Sequence, residues 1–194
     1  MAAMPTWRID RLAHRALPLV VALDADDDAV VYISLGARLH GLVEHARRNG
    51  ARMEAEVRKT TPARAQLREY LRGTRTAFDL RTRPHGTTFQ RRAWQALTEI
   101  PFGKTWSYAT QAKAVGNVGG ARAVGRANGA NPIPIVIPCH RVLGSSGSMV
   151  GFSGGGVETK RWLLALEREG QAPEWTPAER SARRASEAQL GLFA

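Results

Sequence analysis

Between Leu17 and Gly36 the apolar residues fall into two dense runs, LPLVVAL and AVVYISL, separated by the acidic stretch DADDD. Two β-branched-rich runs around a polar turn predict a β-hairpin. The spacing then changes. ARLHGLVEHARRNG predicts a short helix that stops at Gly50, and TPARAQLREYLRG predicts a second, with Thr61 as N-cap, Pro62 at the first helical position and Gly73 as terminator. Residues 1–84 therefore predict a small α/β unit. No chemistry is visible in it: His14, His40 and His45 lack cysteine neighbours and metal-ligand spacing, which assigns them to surface or core.

Helical periodicity resumes at 87–100, where Phe89, Trp94, Leu97 and Ile100 share one stripe and Arg91 and Arg92 lie off it. A turn at Pro101–Gly103 leads into a second helix, and NVGGARAVGRANGAN predicts a third. Two short helices with a Gly-containing connection fit a helix-turn-helix. The third is slim. Its Ala121, Ala123, Gly125, Ala127 and Gly129 leave Arg122 and Arg126 as the only long side chains. Small residues of this kind suit either tight helix packing or close approach to a partner. Then follow the apolar run PIPIVI, the pair Cys139–His140, the Gly/Ser loop GSSGSMVGFSGGG, and the helix VETKRWLLALEREG with Glu167 near its end. The expected fold class is α/β (α+β). A small N-terminal α/β domain (1–84) with a β-hairpin or sheet precedes a mainly helical C-terminal domain (85–171) containing the helix-turn-helix, and 172–194 form a tail.

Composition narrows the partners. The apolar run at 16–23 is too short to span a bilayer and no small-residue cleavage site follows it, so no membrane is expected and the expected location is cytoplasmic. The net charge is +11. From Arg81 to Arg126 there are eight basic residues and one acid, Glu99. That balance favours a polyanionic partner over mere solubility.

Cys139 is the only cysteine of the chain, which excludes an intrachain disulfide and a Cys-rich zinc site. A free thiol is only a few per cent ionised at neutral pH, and an adjacent His raises that fraction if both side chains meet. Neighbours in a regular strand face opposite sides, so the chain must leave the β-like run near Pro138. The competing reading is a buried, inert cysteine.

These residues carry a family resemblance. PIPIVIPCHRV, with SGGG…K..LL..E after it and FQRRAWQAL..IPFGKTWSY before it, closely resembles the O6-alkylguanine-DNA alkyltransferases, the methylated-DNA–protein-cysteine methyltransferases, over about 85–171. The resemblance implies that Cys139 takes the alkyl group from O6-alkylguanine, and less surely from O4-alkylthymine, in a single turnover without cofactor or metal. It implies that His140 acts through a water as general base, that Glu167 orients His140, and that Tyr108 protonates the leaving guanine. Asn131 would hold the turn presenting Cys139. Ser107, Ala121, Arg122, Ala123, Gly125 and Arg126 would contact double-stranded DNA, with Arg122 filling the gap left by the flipped base. Asn128, Pro134, Val142, Phe152, Ser153 and Gly154 would form the substrate pocket. Two departures stand out: Phe152 replaces a usual tyrosine, and Asn128 occupies an often apolar position. A slim helix with one intruding Arg independently fits minor-groove entry and base extrusion. The alternatives are a non-catalytic lesion binder, whose relatives lack the cysteine, and a Cys-His hydrolase.

In the tail, Thr176 and Glu179 fit a capping box. Gln189, Leu190, Leu192 and Phe193, in QLGLF, resemble the peptide by which bacterial proteins bind the replication sliding clamp. The competing reading is an apolar tail folded onto the body. A protein consumed at one lesion needs only a monomer.

Overall fold

The computed structural model describes residues 4–36, 39–56 and 61–182. The predicted hairpin is present as β2 (Leu19–Asp24) and β3 (Val30–Leu35), paired antiparallel. Two further strands extend the sheet on the β2 side. β1 (Thr6–Leu12) is antiparallel to β2 and β4 (Arg52–Glu56) is parallel to β1, giving the order β3-β2-β1-β4. Neither reads as a strand in the sequence, because charged residues interrupt both: Arg8, Asp10 and Arg11 in β1, Arg52, Glu54 and Glu56 in β4. The unbroken apolar run of β2 reflects burial on both faces. Leu19, Val21 and Leu23 enter the main core, while Val20 and Ala22 pack with Leu42 and Ala46 of α1 (His40–Arg48).

α2 (Pro62–Leu71) starts where predicted. Thr61 Oγ1 accepts from Arg64 N and donates to the buried Asp10 Oδ2 at 2.6 Å, which ties the helix to β1. Gly73 ends it at φ +79°, and a Cβ there would lie 2.5 Å from Gly170 O. The glycine thus serves both the left-handed turn and the close approach. The acidic turn latches the segment that follows. Asp24 and Asp27 hold Arg83, Asp27 also holds Arg81, and Asp28 pairs with Arg8. Arg81 and Arg83 therefore leave the positive stretch counted along the sequence; their charges are partnered within the N-terminal half. Val30 exchanges backbone hydrogen bonds with Arg81 and Arg83, and Ile33 N donates to Pro132 O. The edge of β3 is thereby covered.

α3 (Thr88–Leu97) opens with a complete capping box between Thr87 and Gln90. α4 (Tyr108–Ala114) and α5 (Ala121–Gly129) form the predicted helix-turn-helix against α3, sealed by Ala93, Ala96, Ala112, Val115, Val124 and Ala127. The Trp94 indole N–H donates to Ala127 O at 2.8 Å. α6 (Gly156–Glu169) closes the fold. Its Trp162, Leu163 and Leu166 share the main core with Leu67, Tyr70 and Leu71 of α2 and with the sheet.

The run PIPIVI differs from its β-like reading. It is no strand. Ile137 N bonds back to Ile133 O, Ile135 takes φ +75°, and only an isolated bridge joins Pro134 and Ile137. A β-branched residue at positive φ is a strained position that surrounding contacts must impose. Beyond α6 the Thr176–Glu179 capping box is formed, and residues 177–182 are helical. The clamp-like residues Gln189, Leu190, Leu192 and Phe193 lie outside the described residues.

Thr61→Ala removes both the helix cap and a donor to buried Asp10. Urea denaturation is expected to show a loss of about 2 kcal/mol, against a few tenths for an exposed control such as Arg72→Ala.

Candidate active site and nucleic-acid interface

The site is organised by the buried turn that follows the strained loop. Cys139–Arg141 form one 3₁₀ turn, so Cys139 and His140 leave the alternation that would have separated them. Asn131, just beyond α5, holds the loop. Its Nδ2 donates to Ile137 O at 2.8 Å and to Cys139 Sγ at 3.1 Å, while its Oδ1 accepts from Ile133 N. β5 (Trp106–Ser107) and β6 (Val142–Leu143), a short parallel pair, join the turn to the start of α4.

Behind Cys139 lies a charge network. His140 is fully buried, and its Nε2 lies 2.8 Å from Glu167 Oε1. A carboxylate only accepts, so Nε2 carries the proton. His140 Nδ1 is buried and has no hydrogen-bond partner in the protein. Arg141 grips both oxygens of Glu167 through Nε and Nη2, and its Nη1 donates to Ile100 O at 2.6 Å. Gly103 N adds a bond to Oε2, and the Tyr70 hydroxyl adds one to Oε1. Burial alone would raise the Glu167 carboxyl. The hydrogen bonds and charges of His140 and Arg141 outweigh it and hold the carboxyl down to about 2. Burial also lowers the His140 imidazole, against the pull of Glu167. The Cys139 thiol is raised by burial, partly offset by the Asn131 hydrogen bond and by Lys160. At rest the pair is thus a neutral thiol beside a neutral imidazole.

Cys139 lines an open cavity of about 670 Å³ together with Tyr108, Arg122, Asn128, Phe152 and Ser153. Ala121 and Gly125 of α5 line it too. Tyr108 is held in its phenol form, first by burial and then by the nearby Cys139. Asn128 turns its amide away from chemistry and into a reciprocal pair with Gln111, at 2.9 and 2.7 Å, which locks α5 to α4. Pro134 and Gly154 lie on a neighbouring cavity of about 270 Å³ that shares Ser153. Val142 is fully buried, and its carbonyl accepts from Lys160 Nζ at 2.6 Å.

On α5, Val124, Ala127 and Asn128 face the core, while Arg122 and Arg126 are exposed and Ala121, Ala123 and Gly125 are partly so. A Cβ at Gly125 would meet the Tyr108 ring at 3.6 Å, an ordinary contact. Internal packing therefore does not demand glycine there, and the slim face is the outward one. Ser107 caps α4, accepting from Thr110 N at 3.0 Å.

Four residues of the site escaped the sequence reading. Arg141 and Lys160 lie inside the quoted motifs, but buried charges are rare, so spacing alone does not point to them. Lys160 also reaches Val150 O, so the Gly/Ser loop is tied to β6 instead of swinging free. Gln111 and Tyr70 carried no signal, since their partners are distant in sequence.

An α+β chain with a buried thiol, a His140–Glu167–Arg141 network behind it and a slim, basic helix-turn-helix beside its cavity defines a helix-turn-helix protein with a buried thiol site. The family model of the 6-O-methylguanine DNA methyltransferase DNA-binding domain matches residues 88–169. The methylated-DNA–protein-cysteine methyltransferase of Mycolicibacterium paratuberculosis is 54% identical over 103 residues, 53% of this chain and 62% of that protein. The constitutive enzyme of Bacillus subtilis is 46% identical over 57% of this chain and 69% of its own length. The solved structure of Mycobacterium tuberculosis OGT in complex with DNA superposes with a TM-score of 0.72 at 37% identity, covering 86% of this chain and 96% of that one. The chain belongs to the methylated-DNA–protein-cysteine methyltransferase family. In sequence it spans 62% of the length of the Mycolicibacterium paratuberculosis relative.

Glu167 has a depressed carboxyl, so its contribution to stability is complete above about 4.5 and is lost as pH falls through about 2. Urea titrations across this window are expected to show a shallower slope in Glu167→Gln than in the wild type, the remainder coming from carboxyls such as Asp27 and Glu179 that are also lowered. The variant should also lose about 3 kcal/mol at neutral pH, because Arg141 is left buried without its counter-charge.

Proposed function

We propose that this chain repairs alkylated DNA by direct reversal, taking the alkyl group of O6-alkylguanine onto Cys139 in one irreversible turnover. The observation that carries the reading is the placement of a buried thiol, with a proton-accepting relay behind it, in the cavity that the slim face of α5 borders. α5 enters the minor groove, where Ala121, Ala123 and Gly125 let its backbone approach, and Arg126 and Ser107 contact the phosphate backbone. Arg122 takes the place of the extruded base. Extrusion costs a few kcal/mol, offset by that insertion and by contacts inside the cavity. Ser153 reads the flipped guanine, and Phe152 and Asn128 wall it.

The thiol proton passes by way of a water to His140 Nδ1, the ring nitrogen left free by the bond to Glu167. Sγ attacks the alkyl carbon in line, the C–S bond forms as the C–O6 bond breaks, and the electron pair leaves with guanine. The Tyr108 phenol donates its proton to the guanine ring, for which it must stay protonated until that moment. Asn131 keeps Sγ in line. The thioether product is stable, so the protein is consumed. No metal or cofactor is required, because DNA supplies both the alkyl group and the leaving group. O4-alkylthymine offers the same chemistry. Residues 85–171 form the catalytic unit of this proposal, residues 1–84 support it, and the protein acts as a cytoplasmic monomer. Among the described residues no helix is long and apolar enough to cross a membrane.

A second proposal concerns the tail, whose QLGLF matches a sliding-clamp docking peptide in sequence. Clamp capture in a pull-down is expected to disappear with Leu192→Ala and Phe193→Ala; unchanged capture would refute it.

For the main reading the measurement is intact-protein mass after mixing with a duplex holding one O6-methylguanine. A gain of one methylene on the Cys139 peptide is expected, saturating at one per protein and absent in Cys139→Ala. Tight binding without mass change identifies a lesion binder, and turnover beyond one equivalent identifies a hydrolase.

A further inference from the structure

Tyr70 stands on α2, in the half of the chain whose sequence shows no chemistry, yet its hydroxyl lies inside the relay. It donates to Glu167 Oε1 at 2.6 Å and sits 3.4 Å from His140 Nε2. The side chain is fully buried. Its ring packs on Phe78 and edge-on to Phe102, with centroids 5.3 and 6.2 Å away. A phenylalanine would fill this space among aromatic neighbours. The hydroxyl is directed at the single carboxylate that holds His140.

We propose that Tyr70 is a positioning residue for alkyl transfer, supplied by the N-terminal unit, which sets how strongly Glu167 pulls on the His140 N–H. The inference deepens the reading of Cys139 as alkyl acceptor and rests on it. Glu167 Oε1 receives three donors, Tyr70, His140 and Arg141. Each donor spreads the negative charge and weakens the attraction left for the others. His140 is also faced by Arg141 on its own turn and by Lys160 from α6, both of which disfavour its protonation. Glu167 alone favours it, and Tyr70 moderates Glu167. Removing the hydroxyl concentrates the charge of Oε1 on His140 and makes Nδ1 the stronger base. The ring stays, and Glu167 keeps His140, Arg141 and Gly103, so no buried group is orphaned.

The experiment follows the pH dependence of two rates in the full chain: methyl transfer from an O6-methylguanine duplex, and capture of Cys139 by iodoacetamide. Wild type, Tyr70→Phe, Glu167→Gln and the double variant are compared, with melting temperatures measured alongside. The acid limb of Tyr70→Phe is expected to move up by roughly half a pH unit, as for loss of one of several hydrogen bonds to a carboxylate. The double variant is expected to titrate like Glu167→Gln alone, since the effect runs through the carboxylate. A Tyr70→Phe profile that superimposes on wild type, or that falls uniformly without moving along the pH axis, overturns the proposal. So does an equal shift on the Glu167→Gln background. If wild type reacts with iodoacetamide but takes no methyl group from the duplex, the alkyltransferase reading fails, and with it the role of Tyr70 in that reaction.

Discussion

A carboxylate buried as deeply as Glu167 is sustainable only if donors replace the water it has lost. Those four donors come from three places in the chain: Tyr70 on α2, Gly103 in the turn after α3, and His140 and Arg141 on the Cys139–Arg141 turn, all meeting a residue of α6. The ion pair with Arg141 offsets the charge, and Arg141 in turn clamps Ile100 O at the end of α3. One carboxylate therefore fixes where the N-terminal unit, the helical half and the nucleophile sit relative to each other. It also fixes the proton on His140 Nε2, which leaves Nδ1 as the unprotonated ring nitrogen that the proposed reaction uses as base.

The thiol meets two opposed requirements. In the proposed reaction it must stay protonated in storage, or it would be oxidised or alkylated by small electrophiles, and it must become nucleophilic when a substrate arrives. Burial meets the first requirement. Asn131, Lys160 and His140 prepare for the second, because their charges and hydrogen bonds favour the thiolate once a proton can leave. The loop that carries Cys139 is shaped for this presentation through the positive φ of Ile135, a local cost that the packed core around Ile133, Ile135 and Ile137 sustains.

Charge is distributed by use. The acids of the β2–β3 turn neutralise Arg81 and Arg83, which hold the connecting segment to the sheet. Arg122 and Arg126 remain exposed on α5, beside the cavity, where a phosphate backbone would find them. The small residues between them leave the helix narrow on its outer side, while Val124, Ala127 and the Asn128–Gln111 pair hold the inner side to α3 and α4.

Local pattern was enough to read the hairpin, the caps at Thr61 and Thr176, the helix stops at Gly50 and Gly73, and the helix-turn-helix, because each depends on neighbours within one turn or one strand. The Pro-Cys-His-Arg-Val motif and Glu167 were legible through resemblance to a family, since the chemistry constrains residue types at fixed spacing. β1 and β4 were hidden by their charged residues, which the sheet tolerates because strand pairing is satisfied by backbone atoms. The irregular path of PIPIVI was hidden because an apolar run looks the same whether extended or folded upon itself; the Asn131 side chain and the Ile137–Ile133 bond decide it. Tyr70, Gln111 and the buried roles of Arg141 and Lys160 belong to tertiary structure alone. Their partners lie 97, 17, 26 and 18 residues away in the chain. Sequence by itself thus determined the hairpin, the helices and their caps, and marked the one thiol of the chain as the candidate for chemistry, through short-range periodicity and residue chemistry. Only the folded chain decided which groups surround that thiol and its histidine, and in which direction they shift both, because burial and converging charges exist only after distant segments have met.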